Sequence, residues 1–134
     1  MQLETQIADF MAGETFAVAG ASSNREKYGN KVLRCYLQKG HTAIPVNPSA
    51  DEVEGIPAAT SLSDIDPKPH GLSIITPPPV TEKVVAEAIE LGIKHIWMQP
   101  GAESDAAVAA CRDAGVNLIS GGPCLLVVLG FRDV

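Results

Sequence analysis

The feature that most restricts the fold of this chain is a regular alternation of short apolar segments with amphipathic ones. The first unit has an apolar segment at 15–20 that ends in glycine, an amphipathic segment at 30–38 and a second apolar segment at 42–47. Apolar residues in the middle segment recur at helical spacing, and Gly40 follows as a C-terminal cap. This order predicts a βαβ unit with a right-handed crossover.

The same alternation continues along the rest of the chain. Three more strands and two more helices are predicted, the strands at 71–76, 93–98 and 116–120 and the helices at 81–91 and 104–114. Ser104 is a suitable N-cap, and the region 48–69, rich in Pro, Asp and Ser, is expected to hold one short strand or helical turn. The pattern predicts a single α/β domain over 1–134, a parallel sheet with helices on both faces.

Composition agrees with one such domain. The 134 residues are 46% hydrophobic but only 4% aromatic, so Val, Ile, Leu and Ala must build the core, as in buried parallel strands. No basic segment precedes an apolar run at the N-terminus, and no long apolar stretch occurs, which predicts a cytoplasmic protein without membrane association. Cys35, Cys111 and Cys124 lack the spacing of a disulfide framework or zinc site, so no metal is expected.

The charge distribution favours a small anionic ligand over a nucleic acid. The net charge is −6, which disfavours a polyanionic partner. Half of the ten basic residues nevertheless fall between 15 and 50, where Glu26 is the only acid; they are Arg25, Lys27, Lys31, Arg34 and Lys39. A basic segment in an acidic protein suits a bound anion, although charge alone predicts a solvated helix face equally well.

The loop after the first strand has the properties of a phosphate site. Gly20 ends the strand and residues 21–30 lead into the helix, so that free N–H groups and the positive helix end meet there. The dinucleotide fingerprint needs glycines where this chain has Ser22 and Arg25, which disfavours a standard NAD site. The alternative is that Gly20 only makes a tight turn and Asn30 only caps a helix.

Four motifs follow one another in an order that resembles a known family: GASSNREKYGNKV at 20–32, PVNP at 45–48, TPPP at 76–79 and WMQPGAES at 97–104. Together they resemble the stand-alone CoA-binding proteins, which are related to the CoA-binding domain of the succinyl-CoA synthetase α chain. The resemblance extends over about 15–124. It implies a Rossmann-like domain whose cofactor is coenzyme A, with the phosphates on the first loop and the adenosine beside the PVNP turn.

The coenzyme A site implied in this way includes nineteen residues of this chain: Gly20, Ala21, Ser22, Ser23, Asn24, Arg25, Lys27, Tyr28, Gly29, Asn30, Val46, Asn47, Pro48, Thr76, Pro77, Pro78, Gln99, Gly101 and Cys124. The synthetases have a lysine after the second strand, where this chain reads Ser-Ala-Asp at 49–51, so Arg25 and Lys27 are candidates for the missing charge. Cys124 follows Gly-Gly-Pro where many relatives read Asp-Arg before the cysteine.

We expect Gly20→Val to abolish binding and leave the fold largely intact.

No catalytic group is identified. His41, His70 and His95 have no Ser, Cys or carboxylate at triad spacing, and the synthetases carry their phosphorylated histidine in further domains. We therefore expect a non-enzymatic carrier, sensor or partner module for CoA or acyl-CoA, as a homo-oligomer or beside a synthetase-type partner. The alternatives are a nucleotide-dependent oxidoreductase and an interaction subunit with a vestigial site. Cys124 is either a packing residue or a thiol at the pantetheine end.

Overall fold

The alternating segments form one parallel sheet in the computed structural model, which describes residues 2–133. The helices and strands are, in chain order, α1 (Leu3–Met11), β1 (Thr15–Ala19), α2 (Tyr28–Gln38), β2 (Thr42–Val46), β3 (Glu52–Val53), β4 (Ile56–Pro57), β5 (Gly71–Ile74), α3 (Pro78–Glu90), β6 (His95–Met98), α4 (Asp105–Asp113), β7 (Asn117–Ile119) and α5 (Leu125–Leu129). A 3₁₀ turn at Leu62–Asp64 lies between β4 and β5.

The strand order determines where a ligand can bind. The sheet runs β2-β1-β5-β6-β7 with every neighbouring pair parallel. The chain goes outward from β1 to β2 and then returns to the other side of β1 as β5. Loops leaving β1 and β5 therefore diverge at the carboxyl edge, and a crevice opens between them. Gly20 and Ile75 are the residues that follow these two strands.

Alternating side chains of the strands divide between two cores. In β1, Ala17 and Ala19 face the core shared with α3 and α4, whereas Phe16 and Val18 face the core shared with α1, α2 and α5. All four side chains are buried, as expected for a central parallel strand with helices on both faces. The fold class predicted from the alternation is confirmed.

The element bounds differ from the predictions mainly at helix starts. The helix predicted at 30–38 begins at Tyr28, so Asn30 lies inside it instead of capping it. The helix predicted at 81–91 begins at Pro78, because proline fits the first turn, where its missing N–H is not needed. Ser104 is the N-cap of α4, and its hydroxyl accepts a hydrogen bond from the N–H of Ala107 at 3.1 Å.

Three features were not predicted. Helix α1 was missed, and the apolar run at Leu125–Leu129 forms the short helix α5, although it has no polar face to indicate one. The region 48–69 holds an antiparallel hairpin of β3 and β4 in addition to the 3₁₀ turn, more than the single element expected. Within residues 2–133 no helix is both long and apolar enough to cross a bilayer.

Candidate functional site

A cavity of about 470 Å³ lies in the crevice between the ends of β1 and β5. Nine of the residues singled out in the sequence line it: Gly20, Ala21, Ser22, Lys27, Val46, Asn47, Pro48, Thr76 and Pro77. They come from three separate motifs that the parallel strands bring to one edge. The structure therefore joins the GASSN loop, the PVNP turn and the TPPP segment around one space.

The opposite wall of this cavity was missed by the sequence analysis. It consists of residues from the 3₁₀ turn and the inner face of α3, namely Thr60, Ser61, Leu62, Val80, Val84 and Glu87. The Glu87 carboxylate accepts a hydrogen bond from the N–H of Leu62 at 3.3 Å and so holds the turn against α3. The Ser-x-x-Asp pattern at 61–64, which forms a capping box, is the signal that could have located this wall.

A second cavity of about 240 Å³ adjoins the first and shares Ile75 with it. Three predicted residues, Tyr28, Gln99 and Cys124, line it together with Pro100. The buried Gln99 carboxamide accepts a hydrogen bond from the N–H of Leu125 at 2.8 Å and donates one to the sulfur of Cys124 at 3.4 Å. The end of the GGPC segment is thereby fixed to Gln99, the residue that follows β6.

Seven predicted residues line neither cavity: Ser23, Asn24, Arg25, Gly29, Asn30, Pro78 and Gly101. Several of them shape the loop instead. A Cβ atom on Gly29 would collide with the carbonyl oxygen of Gly20, so glycine at 29 lets the first turn of α2 pack directly on the loop. Asn24 accepts a hydrogen bond from the N–H of Glu26 at 3.0 Å and closes the turn that precedes the helix.

Two asparagine side chains orient consecutive peptide groups of the loop. Asn47 donates to the carbonyl of Ala21 at 2.9 Å, and Asn30 donates to the carbonyl of Ser22 at 2.8 Å. Because C=O and N–H point in opposite directions across a trans peptide, the N–H groups of Ser22 and Ser23 face away from these asparagines. Neither N–H is hydrogen-bonded to another group within residues 2–133. The loop thus presents two free N–H groups in succession, as anion-binding loops do.

The two basic residues considered for the phosphates have different surroundings. Arg25 forms a bidentate pair with Glu54 of the β3–β4 hairpin, with N–O distances of 3.1 and 2.7 Å. Lys27 lines the first cavity and has no ion pair in the described part of the chain. Lys27 therefore brings a cation without an ion pair to the first cavity, whose opposite wall carries the Glu87 carboxylate.

Glu54 connects the hairpin to α2. Its carboxylate accepts hydrogen bonds from Arg25 and, at 3.0 Å, from Asn30; these bonds lower the pKa of Glu54 to about 2. The buried Arg34 donates to Asn30 at 2.6 Å, to the carbonyl of Arg25 at 3.2 Å and to Asp133 at 3.1 Å. This network holds the loop from the side opposite the cavity.

Gly20 has a second role that changes the expectation for its substitution. Its φ is +93°, a conformation that β-branched residues avoid, and a Cβ atom there would collide with the carbonyl oxygen of Ile75. The expectation that Gly20→Val leaves the fold largely intact is therefore wrong, because the glycine also permits close packing of β1 against β5.

The histidines lie at the other edge of the sheet. His70 precedes β5 and His95 begins β6, with their rings stacked 4.3 Å apart at the amino ends of the strands. Burial, followed by the charge of His70, lowers the pKa of His95. Among residues 2–133 no histidine lines either cavity. Cys35 and Cys111 also line neither cavity, and burial raises the pKa of each thiol to about 11.

The sheet order and the crevice between β1 and β5 define a Rossmann-like α/β domain. More specifically, the chain belongs to the CoA binding domain family, whose model matches residues 14–130. This confirms the family inferred from the four motifs.

Individual relatives extend the comparison. The uncharacterized protein YneT of Bacillus subtilis is 27% identical over 103 residues, which are 77% of this chain and 76% of that protein. A conserved hypothetical protein from Pyrococcus furiosus superposes with a TM-score of 0.81 and 38% identity, over 86% of this chain and 98% of its own. A dinucleotide-forming acetyl-coenzyme A synthetase from Ca. Korarchaeum cryptofilum has a TM-score of 0.69 and 26% identity, over 78% of this chain but 25% of the synthetase.

Proposed function

We propose that the protein binds coenzyme A in the first cavity, with the phosphates on the loop that follows β1. The observation that carries this proposal is the pair of free N–H groups at Ser22 and Ser23 on a loop where Ser22 and Lys27 line the same cavity, in a member of the CoA binding domain family. Backbone N–H groups and a nearby cation are the usual partners of a phosphate.

The other parts of the ligand have suitable surroundings along the same edge. In the proposal the adenosine lies beside Val46–Pro48, and the pantetheine arm passes Thr76 and Ile75 toward the second cavity. These residues line two neighbouring cavities that share Ile75 as a wall residue. Arg25 acts indirectly, since its guanidinium is already paired with Glu54.

We further propose that the domain has no chemistry of its own and acts as a carrier, sensor or partner module in the cytoplasm. The titratable side chains that line the two cavities are Lys27, Glu87, Tyr28 and Cys124. They belong to different elements, and Glu87 is hydrogen-bonded to Leu62 on the wall opposite the loop. No nucleophile and base are paired among them, which supports a binding role.

A second candidate is a partner module that completes a synthetase in trans. The observation that favours it is the superposition of this chain on one quarter of the acetyl-coenzyme A synthetase. Native mass spectrometry of the protein purified from its own cells distinguishes the two: a stable complex with another chain supports the partner role, and the protein with coenzyme A alone supports the carrier or sensor role.

The ligand is tested by isothermal titration with coenzyme A, NAD and ATP under identical reducing conditions. We expect coenzyme A to bind most tightly, and Lys27→Ala to weaken it about tenfold and to lower the slope of log affinity against log salt. Lys39→Ala is the matched control, because Lys39 is exposed at the end of α2 and lines neither cavity. Tighter binding of NAD than of coenzyme A would favour the oxidoreductase alternative and overturn the proposal.

A further inference from the structure

The second cavity has no part in holding the phosphates or the adenosine of the proposed ligand, yet it lies next to the first one and shares Ile75 with it. Coenzyme A carries its sulfur at the end opposite the adenosine. A molecule anchored on the loop after β1 and extended along the strand ends therefore directs its sulfur, and any group attached to the sulfur, toward this second space.

Apart from the hydroxyl of the exposed Tyr28, the walls of the second cavity are apolar or already hydrogen-bonded. Ile75 and Pro100 have no polar side-chain atoms. The Gln99 carboxamide is bonded on both sides, to the N–H of Leu125 and to the sulfur of Cys124. A hydrocarbon group loses nothing against such walls, whereas a carboxylate would give up its water with only the Tyr28 hydroxyl as a side-chain donor that is not already hydrogen-bonded.

The charges near the cavity also disfavour an anionic group. The Glu103 carboxylate accepts hydrogen bonds from the N–H groups of Gly101 at 2.9 Å and Gly121 at 3.3 Å, and so places a negative charge between the two loops that lead to the cavity. Lys31 does not line the cavity; its ammonium lies 5.5 Å from the ring centroid of the wall residue Tyr28, but it is paired with the carboxylate of Asp133 at 3.6 Å. Among residues 2–133 no cation lines this space to bind a terminal carboxylate.

We propose that the second cavity is an acyl pocket that selects thioesters of short, uncharged acyl groups over free coenzyme A and over dicarboxylic thioesters. This inference rests on the proposed function. A water-sized group occupies about 30 Å³, so the cavity of about 240 Å³ accommodates roughly eight such groups. That is enough for the sulfur end of the arm and an acyl group of two to four carbons, but not for a long fatty chain.

The test is isothermal titration with coenzyme A and with acetyl-, butyryl-, succinyl- and palmitoyl-CoA under reducing conditions. Burial of one methylene is worth about fourfold in affinity, so we expect butyryl-CoA to bind about tenfold more tightly than coenzyme A, and succinyl-CoA no more tightly. Equal affinities for all five compounds would overturn the acyl pocket and leave the proposed function standing. Absence of binding by all five would overturn both.

Two variants locate the acyl group. Cys124→Met fills the cavity, and we expect the ratio of butyryl-CoA to coenzyme A affinity to fall at least threefold; Val127→Met is the control, because Val127 is 79% exposed on α5, the helix that follows Cys124. Tyr28→Ala removes a wall residue that is 63% exposed, so the fold should tolerate it, and the ratio should also fall. A ratio that is unchanged in both Cys124→Met and Tyr28→Ala would place the acyl group elsewhere.

Discussion

The two cavities at the carboxyl edge share Ile75 but are built in opposite ways. At the first, the side chains of Asn30 and Asn47 hold the loop so that the N–H groups of Ser22, which lines the cavity, and of the adjacent Ser23 remain unpaired. In the second, the polar side chains Gln99 and Cys124 satisfy one another. The first cavity therefore suits a charged group and depends on long-range contacts, whereas the second suits an apolar group and depends on shape.

The largest expected effect is at the glycine that joins β1 to the first cavity. Gly20→Val combines a positive φ with a collision against the backbone of Ile75, so we expect a loss of roughly 3 kcal/mol in the free energy of unfolding. Urea unfolding measures it. Gly40→Ala is the control: its φ is +79°, but a Cβ atom there has open space, so only about 1 kcal/mol should be lost. Equal losses would show that packing on β5 is unimportant and that only the backbone conformation matters.

The alternating pattern was sufficient to predict this sheet and its carboxyl edge, because apolar periodicity and glycine positions are local signals. The partners of the loop were not predictable in the same way. Glu54 meets Arg25 only because a hairpin with a two-residue turn folds back over the loop, and Glu54 itself adopts a positive φ of 52° there. Sequence reasoning treated Arg25 and Lys27 as equivalent charges, and only the tertiary contacts separate them.

Helix α5 and the hydrogen bonds of Gln99 were not predictable from the sequence either. Helix α5 is five apolar residues long and has no amphipathic periodicity, so its sequence does not distinguish a helix from any other buried apolar segment. Of its residues, Leu125 is indeed fully buried, whereas Val127 is largely exposed. Gln99 gave no sign of its role either, because the Leu125 N–H that it accepts from is brought to it only by the fold.

An intermediate effect is expected at the ion pair behind the first cavity. Hydrogen bonds from Arg25 and then Asn30 lower the pKa of Glu54 from about 4.5 to about 2, so its contribution is fully present above pH 4.5 and is lost as the pH falls toward 2. We expect Glu54→Gln to reduce the free energy of unfolding at pH 7 by about 1 kcal/mol, since the Arg25 side chain is largely exposed.

Urea unfolding at pH 7, 5, 4 and 3 checks this prediction. The difference in free energy of unfolding between the parent protein and Glu54→Gln should shrink as the pH falls through the acidic range. Glu54→Gln should also bind coenzyme A more weakly than the parent protein does, without a change in the salt dependence of binding. Glu52→Gln, on the same hairpin but exposed, is the control and should match the parent. A Glu54→Gln difference that stays constant down to pH 3 would mean that the carboxylate does not act through its charge.

The smallest effect on stability, and the sharpest comparison between the cavities, concerns Cys124. Cys35 and Cys111 are fully buried, and their pKa values of about 11 leave little thiolate at pH 8, whereas Cys124 is partly exposed in the second cavity. If the first cavity anchors coenzyme A, CoA disulfide should modify Cys124 faster than glutathione disulfide does. The Cys124 thiolate attacks one sulfur of the disulfide, forms a mixed disulfide and releases coenzyme A as its thiolate.

We expect peptide mass spectrometry to find the adduct on Cys124 at a rate at least tenfold above that with glutathione disulfide, and no adduct in Cys124→Ser. Modification of Cys35 or Cys111 instead, or equal rates with both disulfides, would reduce Cys124 to a packing residue and separate the two cavities functionally.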